Sequence, residues 1–259
     1  MEQNAIDAKF EMYVDSADFY SAAKHWKEAE AMTIKALKIK PANKANWLLW
    51  ANLAEIRKNL NDLEGAMEAY DIGLSMQPAS AVMLSGRAEL LIREGRNTEA
   101  IEDLDTLLKN DPTSENALTM RGWLFFDSGR LEEAEKDFAS LKSSCPDHPQ
   151  GYDGLAAIKS REGKPLEAIG LYAESLRIVP DEDNYFYMVS LQADCGNLQE
   201  AADSLREGMK EYPRSGKLYL LRAYLHKLNF QNEEAQIALK LAKEYGADLR
   251  LIQQIFPGK

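Results

Sequence analysis

The feature that most constrains the fold of this 259-residue chain is a recurring pair, an alanine followed twelve positions later by a proline. Six such pairs occur at nearly constant spacing: Ala29 with Pro41, Ala66 with Pro78, Ala100 with Pro112, Ala134 with Pro146, Ala168 with Pro180 and Ala201 with Pro213. Self-similarity with a period of about 34 residues predicts stacked copies of one small unit, each covered by its neighbours.

A second cluster precedes each alanine and predicts that every unit is a helix hairpin. Examples are Trp50-x2-Leu53-Ala54, Leu84-x2-Arg87-Ala88 and Leu118-x2-Arg121-Gly122. Spacings of three and four residues place the large side chains on one helical face, and the small residues allow two helices to approach closely. Turn-forming residues separate the two clusters, and the proline ends the second helix. The turns contain Asn61-Asp62, Gly95, Gly129, Gly163-Lys164 and Gly196-Asn197.

These residues resemble the tetratricopeptide repeat family, whose pattern is W-x2-L-G-x2-Y, then A-x3-F, then P. The resemblance implies an all-α, right-handed solenoid of about seven helix-turn-helix units with a C-terminal capping helix. We expect a lead-in at residues 1–9, an array over residues 10–249, and a capping helix and tail at residues 250–259. The units are expected near residues 10–43, 47–80, 81–114, 115–148, 149–181, 182–215 and 216–249.

Charge and cysteine content exclude several functions and indicate a compartment. A formal charge of −11 disfavours nucleic acids and anionic membrane surfaces, because both require basic protein surface. The acidity could serve only to keep the protein soluble. A more specific interpretation is that the chain binds a partner with basic residues. Two cysteines make no disulfide framework or zinc motif. Without a signal-peptide pattern or a long apolar run, we expect a cytoplasmic protein; an exported mature chain whose signal is absent from this sequence is the alternative.

The search for catalytic residues gives no constellation, so the chain is not expected to be an enzyme. His25, His148 and His226 are far apart in the repeat map, and each fits a turn, loop or core position. No phosphate-binding loop, nucleophile elbow or zinc-protease motif occurs. We therefore expect no cofactor and no metal.

The family resemblance implies that the first helix of each hairpin lines a concave groove through its second, fifth, ninth and twelfth positions. The groove residues that we expect to contact a partner are Glu55, Glu89, Ile92, Trp123, Phe126, Phe186, Leu220 and Tyr224. The same positions include Lys58, Asp153, Ala157, Ser160 and Asp183. The groove is thus acidic in its first half and aromatic further on. Trp123 and Phe126 are expected to be either anchor pockets for an apolar peptide or core residues buried by tight curvature.

Two functions follow, and a third type of binding is disfavoured. The first is an adaptor that holds a peptide or helix of another protein in the groove. The alternative is a self-assembling structural scaffold, such as a homodimer, that uses the terminal helix. Family members that grip the carboxylate tail of chaperones use a set of Lys and Asn residues, of which only Asn52 is matched here. That carboxylate-clamp activity is not expected.

Overall fold

The computed structural model describes the backbone of residues 2–256 and the side chains of residues 4–256. Met1, at the start of the predicted lead-in, and residues 257–259, at the end of the predicted tail, lie outside the described residues. The described part forms fifteen helices and no strand, so the predicted all-α class of helix-turn-helix units is confirmed. The chain divides into two compact units, Met1–Met120 and Arg121–Lys259.

The helices alternate with short turns and loops along the chain. The first unit contains α1 (Glu2–Ala22), α2 (Trp26–Ile39), α3 (Asn46–Asn59), α4 (Leu63–Met76), α5 (Ala81–Arg93) and α6 (Asn97–Asn110). Helix α7 (Glu115–Asp127) begins in the first unit and ends in the second. The second unit continues with α8 (Leu131–Ser144), α9 (Gln150–Arg161), α10 (Pro165–Ile178), α11 (Glu182–Asp194), α12 (Leu198–Glu211), α13 (Gly216–Leu228), α14 (Asn232–Glu244) and α15 (Leu249–Ile255).

Each hairpin turns at the same place, five residues before the repeat alanine or its equivalent Ala235. The residue there has a positive φ in all seven hairpins of the described chain: Lys24, Asn61, Gly95, Gly129, Gly163, Gly196 and Phe230. Glycine adopts this left-handed conformation without the steric cost that a Cβ imposes. The glycine turns predicted from sequence are therefore confirmed as hairpin turns. In the other three hairpins a residue that carries a side chain adopts the same conformation: Lys24, Asn61 and Phe230.

The repeat residues form the core between the paired helices. All six repeat alanines, from Ala29 to Ala201, have no exposed surface. The residue four positions later is also buried in each hairpin: Thr33, Tyr70, Leu104, Phe138, Tyr172 and Leu205. Each proline stands two residues after the last residue of a second helix, as Pro78 follows Met76 and Pro146 follows Ser144. The sequence pattern thus corresponds residue by residue to helix contacts and helix ends.

Both ends of the described chain are helical. Residues 2–9 are helical and belong to α1, which continues without a break to Ala22. At the other end, α15 packs on the last hairpin, where Ile252 and Phe256 are buried with Leu220 and Leu239. Over the described residues, no helix is both long enough and apolar enough to cross a membrane.

Candidate functional site

The predicted groove residues Trp123 and Phe126 line a cavity of about 530 Å³ in the second unit. We call this cavity the aromatic pocket. It lies among α7, α9, α10 and α11, and its other lining residues are Asp153, Ala157, Ser160, Arg161, Tyr172, Asp183, Asn184 and Tyr187. Four aromatic rings and two carboxylates thus surround one open space, which is the composition of a binding site that takes both apolar and polar groups.

The floor of the aromatic pocket is fixed by a glycine-walled slot in the core. The Phe138 ring of α8 is fully buried and lies between Gly122 of α7 and Gly154 of α9. A Cβ atom added at Gly122 would be 2.9 Å from Phe138 Cζ, and one at Gly154 would be closer still to the root of the ring. The two glycines therefore let α7 and α9 close on Phe138, on which Trp123 rests with ring centroids 5.0 Å apart.

The aromatic walls hold one another in edge and stacked contacts. Trp123 meets Phe126 edge-on at 5.5 Å, and Tyr172 stacks on Tyr187 at 5.8 Å, both favourable ring geometries. The Arg161 guanidinium lies 5.1 Å from the centre of the Phe126 ring and donates a hydrogen bond to the Phe126 carbonyl oxygen at 2.8 Å. Trp123 and Phe126 are half-buried: each packs on the core side and leaves surface on the pocket side.

Asp153 brings a carboxylate into the pocket from α9. Its Oδ1 accepts hydrogen bonds from Ser175 Oγ and, at 2.8 Å, from Asn184 Nδ2. Burial raises the pKa of Asp153, and these two hydrogen bonds oppose that rise only in part. Both bonds end on Oδ1, so within the described part of the chain Oδ2 is left as an acceptor for a ligand. The other carboxylate, Asp183, already binds Lys217.

The pocket combines residues that the sequence predicted with residues that it did not. Asp153, Ala157, Ser160 and Asp183 stand at predicted groove positions and meet Trp123 and Phe126 here. The missed lining residues are Arg161, Tyr172, Asn184 and Tyr187. Tyr172 stands four residues after the repeat alanine Ala168, and it is both buried and part of the pocket wall. Tyr187 stands at the sixth position of its helix, and its ring reaches the preceding hairpin.

Phe186 and Tyr224 lie in a different cavity, of about 470 Å³, between α11, α13 and α15. There Tyr224 donates a hydrogen bond to Asp194 Oδ1 at 2.9 Å. The assignment of Leu220 to the groove is wrong, because Leu220 has no exposed surface and packs with Leu239 and Ile252. Its side chain turns toward the capping helix, which takes the place of a further hairpin.

The predicted acidic residues Glu55 and Glu89 lie in the first unit around Lys58. The Lys58 Nζ atom donates hydrogen bonds to Glu55 Oε1 at 3.2 Å and to Glu89 Oε2 at 3.0 Å, and Tyr70 donates to Glu55. Burial would lower the pKa of Lys58, but the two carboxylates outweigh it and the pKa is raised. Lys58 therefore partly neutralises the negative charge of Glu55 and Glu89. Ile92 is half-buried on α5.

The described residues offer binding surface and show no centre for metal chemistry. No group of three or more His, Cys, Asp or Glu among them is arranged to hold a metal ion. Cys145 and Cys195 are free thiols. The side chains of the aromatic pocket can pack on a ligand, donate and accept hydrogen bonds, and attract a cation.

Fold and site together define an α-helical repeat protein with an open pocket between successive hairpins. The family model for the tetratricopeptide repeat matches residues 51–115 and, in a second overlapping match, residues 85–149. Residues 51–149 thus belong to the tetratricopeptide repeat family, and the chain as a whole has the fold of that family. Proteins of this fold generally serve as protein–protein interaction modules and are typically non-enzymatic scaffolds.

Solved structures of similar fold match between 73% and 96% of this chain. A tetratricopeptide repeat protein from Parabacteroides merdae is 23% identical with a TM-score of 0.73, and the match covers 96% of this chain and 97% of that one. PilF of Pseudomonas aeruginosa is 18% identical with a TM-score of 0.64, over 82% and 93%. YrrB, described as having an unusual peptide-binding site, is 17% identical with a TM-score of 0.56, over 73% and 97%. The comparison with curated proteins gave no match.

Proposed function

We propose that this protein is an adaptor that binds a segment of a partner protein in the aromatic pocket. The observation that carries the proposal is the open aromatic surface of Trp123, Phe126 and Tyr187 beside the carboxylate of Asp153. Solvated helix faces need no such rings, whereas large aromatic side chains in pockets provide most of the binding energy in protein interfaces. YrrB, of similar fold, is described as a peptide-binding protein, which supports the same use of the fold here.

The chemistry of the pocket favours a segment with an apolar side chain next to a basic one. Aromatic faces attract apolar groups and cations. Asp153 has an unfilled acceptor, and it is the carboxylate of the pocket that no lysine or arginine of the described chain binds. The formal charge of −11 would also accelerate the approach of a basic partner. Arg161 lies over Phe126, so the incoming cation would lie on the Tyr172–Tyr187 side.

The test is selection of binding peptides from a random display library, followed by affinity measurements with purified variants. Tyr187→Ala removes a pocket ring that is 49% exposed, so folding should tolerate the change. We expect affinity for the selected peptides to fall about 30-fold, as for loss of an anchor that contributes about 2 kcal/mol. Asp153→Asn should weaken basic peptides selectively.

Leu166→Ala provides the matched control, because Leu166 is an exposed apolar residue of the same unit that lies outside the pocket. Its affinity for the peptides should equal that of the wild type. Peptides that bind Tyr187→Ala and the wild type equally well would show that the aromatic pocket is not the binding site.

Self-association through the terminal helix α15 and the hairpin beside it is the second candidate function. Phe230, Ile237 and Leu249 are 90%, 64% and 67% exposed, and a second copy of the chain would cover such side chains. Light scattering over a range of concentrations tests this proposal. A mass that stays at one chain at every concentration would rule it out.

A further inference from the structure

A second cavity, of about 540 Å³, lies between α12 and α13 and has the opposite charge to the aromatic pocket. We call it the basic cleft. Leu205, Met209 and Leu225 contribute its apolar floor, and the cations around it are Arg206, Lys210 and Arg222, with His226 beside them. None of the described residues that line it is acidic. A cluster of positive charge on a chain that carries a formal charge of −11 requires an explanation.

The internal repeat shows what normally accompanies an arginine at the position of Arg222. Arg87 and Arg121 occupy the same repeat position, directly before the small residue of the first helix. Arg87 binds Asp103 through Nε at 2.8 Å and Nη2 at 2.6 Å. Arg121 binds Asp137 in the same two-pronged way, at 2.9 and 2.7 Å. In both hairpins the aspartate stands sixteen residues after the arginine.

In the last hairpin both kinds of carboxylate partner are missing. The residue sixteen positions after Arg222 is Ala238. Arg87 has a further partner in Asp71 of the preceding hairpin, at 2.6 Å, and the corresponding residue of α12 is Arg206. One aspartate is thus replaced by a neutral residue and the other by a cation. Among the described residues Arg222 makes no ion pair or side-chain hydrogen bond.

The other two cations of the cleft are held only by weak contacts. Arg206 pairs with Asp203 and Lys210 pairs with Glu207, each within α12 and with more than half of each side chain exposed. Such exposed pairs contribute little and exchange easily for a better acceptor. A guanidinium can accept a carboxylate in a two-pronged contact, so the cleft has donors ready for an external acid.

We propose that the basic cleft binds an acidic segment of a partner protein. A carboxylate of that segment takes the place of the missing aspartates beside Arg222. An apolar side chain next to the carboxylate packs on the floor of Leu205, Met209 and Leu225. The basic cleft shares no residue with the aromatic pocket, so this interaction stands or fails independently of the adaptor function proposed above.

Binding can be followed through the methyl group of Met209 by NMR of protein labelled at the methionine methyl groups, with Met209→Leu assigning the signal. The probe is the acetylated and amidated tripeptide Leu-Glu-Leu, compared with Leu-Gln-Leu. We expect the glutamate peptide to shift the Met209 signal and to bind about tenfold more tightly than the glutamine peptide, because its contact with Arg222 is charge-assisted. Equal binding of the two peptides would overturn the proposal.

Two variants test the role of Arg222 from opposite directions. Arg222→Gln removes an exposed guanidinium and should abolish the preference for glutamate. Ala238→Asp keeps Arg222 and restores the carboxylate found in the earlier hairpins, where Asp103 and Asp137 are buried as Ala238 is. It should therefore block the peptide by occupying Arg222 from within. If either variant binds the glutamate peptide as the wild type does, the proposal is wrong.

Matched controls keep the change in net charge constant. Lys240→Gln removes one positive charge from α14 outside the cleft, and Gln236→Glu adds one negative charge at an exposed position of the same helix. Both should bind the glutamate peptide like the wild type, and a loss as large as that of the test variants would show that only net charge matters. Inorganic phosphate at the same concentration should shift Met209 less than the peptide does. An equal shift would make the cleft a general anion site and overturn the proposal.

Discussion

Replacing Gly154 by alanine tests the glycine-walled slot on which the aromatic pocket rests. In an ordinary helix position the change would stabilise the protein by up to about 1 kcal/mol, because alanine has the higher helix propensity. Here the new methyl group would fall on Cγ and the Cδ atoms of Phe138. Those atoms are at the root of a fully buried ring, so they cannot swing away as the end of a flexible side chain can.

We therefore expect overpacking, at about 1–3 kcal/mol, to exceed the gain in propensity. The net effect of Gly154→Ala should be a loss of up to about 2 kcal/mol of unfolding free energy, measured by urea denaturation. Gly170→Ala is the control, because Gly170 lies inside α10 with no atom near its would-be Cβ. It should stabilise the protein by up to about 1 kcal/mol. Equal stabilisation by both changes would refute the packing of Phe138 between α7 and α9.

Three further expectations follow from individual side chains. Phe125→Ala should cost about 3–5 kcal/mol of unfolding free energy as a buried ring, and Trp123→Ala about 1–3 kcal/mol because Trp123 is half-buried; equal losses in thermal melts would make Trp123 a core residue. Phe230→Gly should raise the melting temperature, because Phe230 has a φ of 59° and is 90% exposed; an unchanged or lower temperature would argue against strain in this turn. Burial raises the pKa of Asp153 in the folded state above its ordinary value of 3.8. Ionisation of Asp153 therefore opposes folding once the pH rises above that ordinary value. The stability of wild type relative to Asp153→Asn should thus improve on acidification toward pH 4, and a pH-independent difference would contradict this.

The fold was predictable from sequence because the repeat residues are the helix contacts themselves. A repeat alanine with no exposed surface leaves no room for a larger side chain. A proline cannot lie inside a helix without breaking it, so within each repeat it fits only beyond the end of the second helix. Six copies of that constraint fix the phase of every hairpin. The turns of Lys24 and Phe230 were less visible, because a left-handed conformation without glycine leaves no mark in the composition.

The site was predictable only in part, because its residues depend on how neighbouring hairpins meet. Trp123 and Asp153 were found because they occupy the predicted face of regular hairpins. Tyr187 was missed because its ring contacts Tyr172 of the preceding hairpin. The position of a residue within its own repeat does not specify such a contact between neighbouring hairpins. Leu220 was misassigned for a related reason. The capping helix α15 covers its face, and the periodicity of the repeat carries no information on where that helix packs.

The slot around Phe138 connects the repeat to the proposed binding of a partner. Gly122 occupies the small-residue position that the repeat predicts for its hairpin. Gly154 is an additional glycine, because Ala156, two residues later, fills the small-residue position of that hairpin. Its effect is to bring α9 onto the Phe138 ring, against which Trp123 is held. A ring fixed in this way loses little conformational entropy when a ligand packs on it, so more of the contact energy remains as affinity. Loosening the slot should therefore weaken binding at the aromatic pocket even where no residue of the pocket is changed.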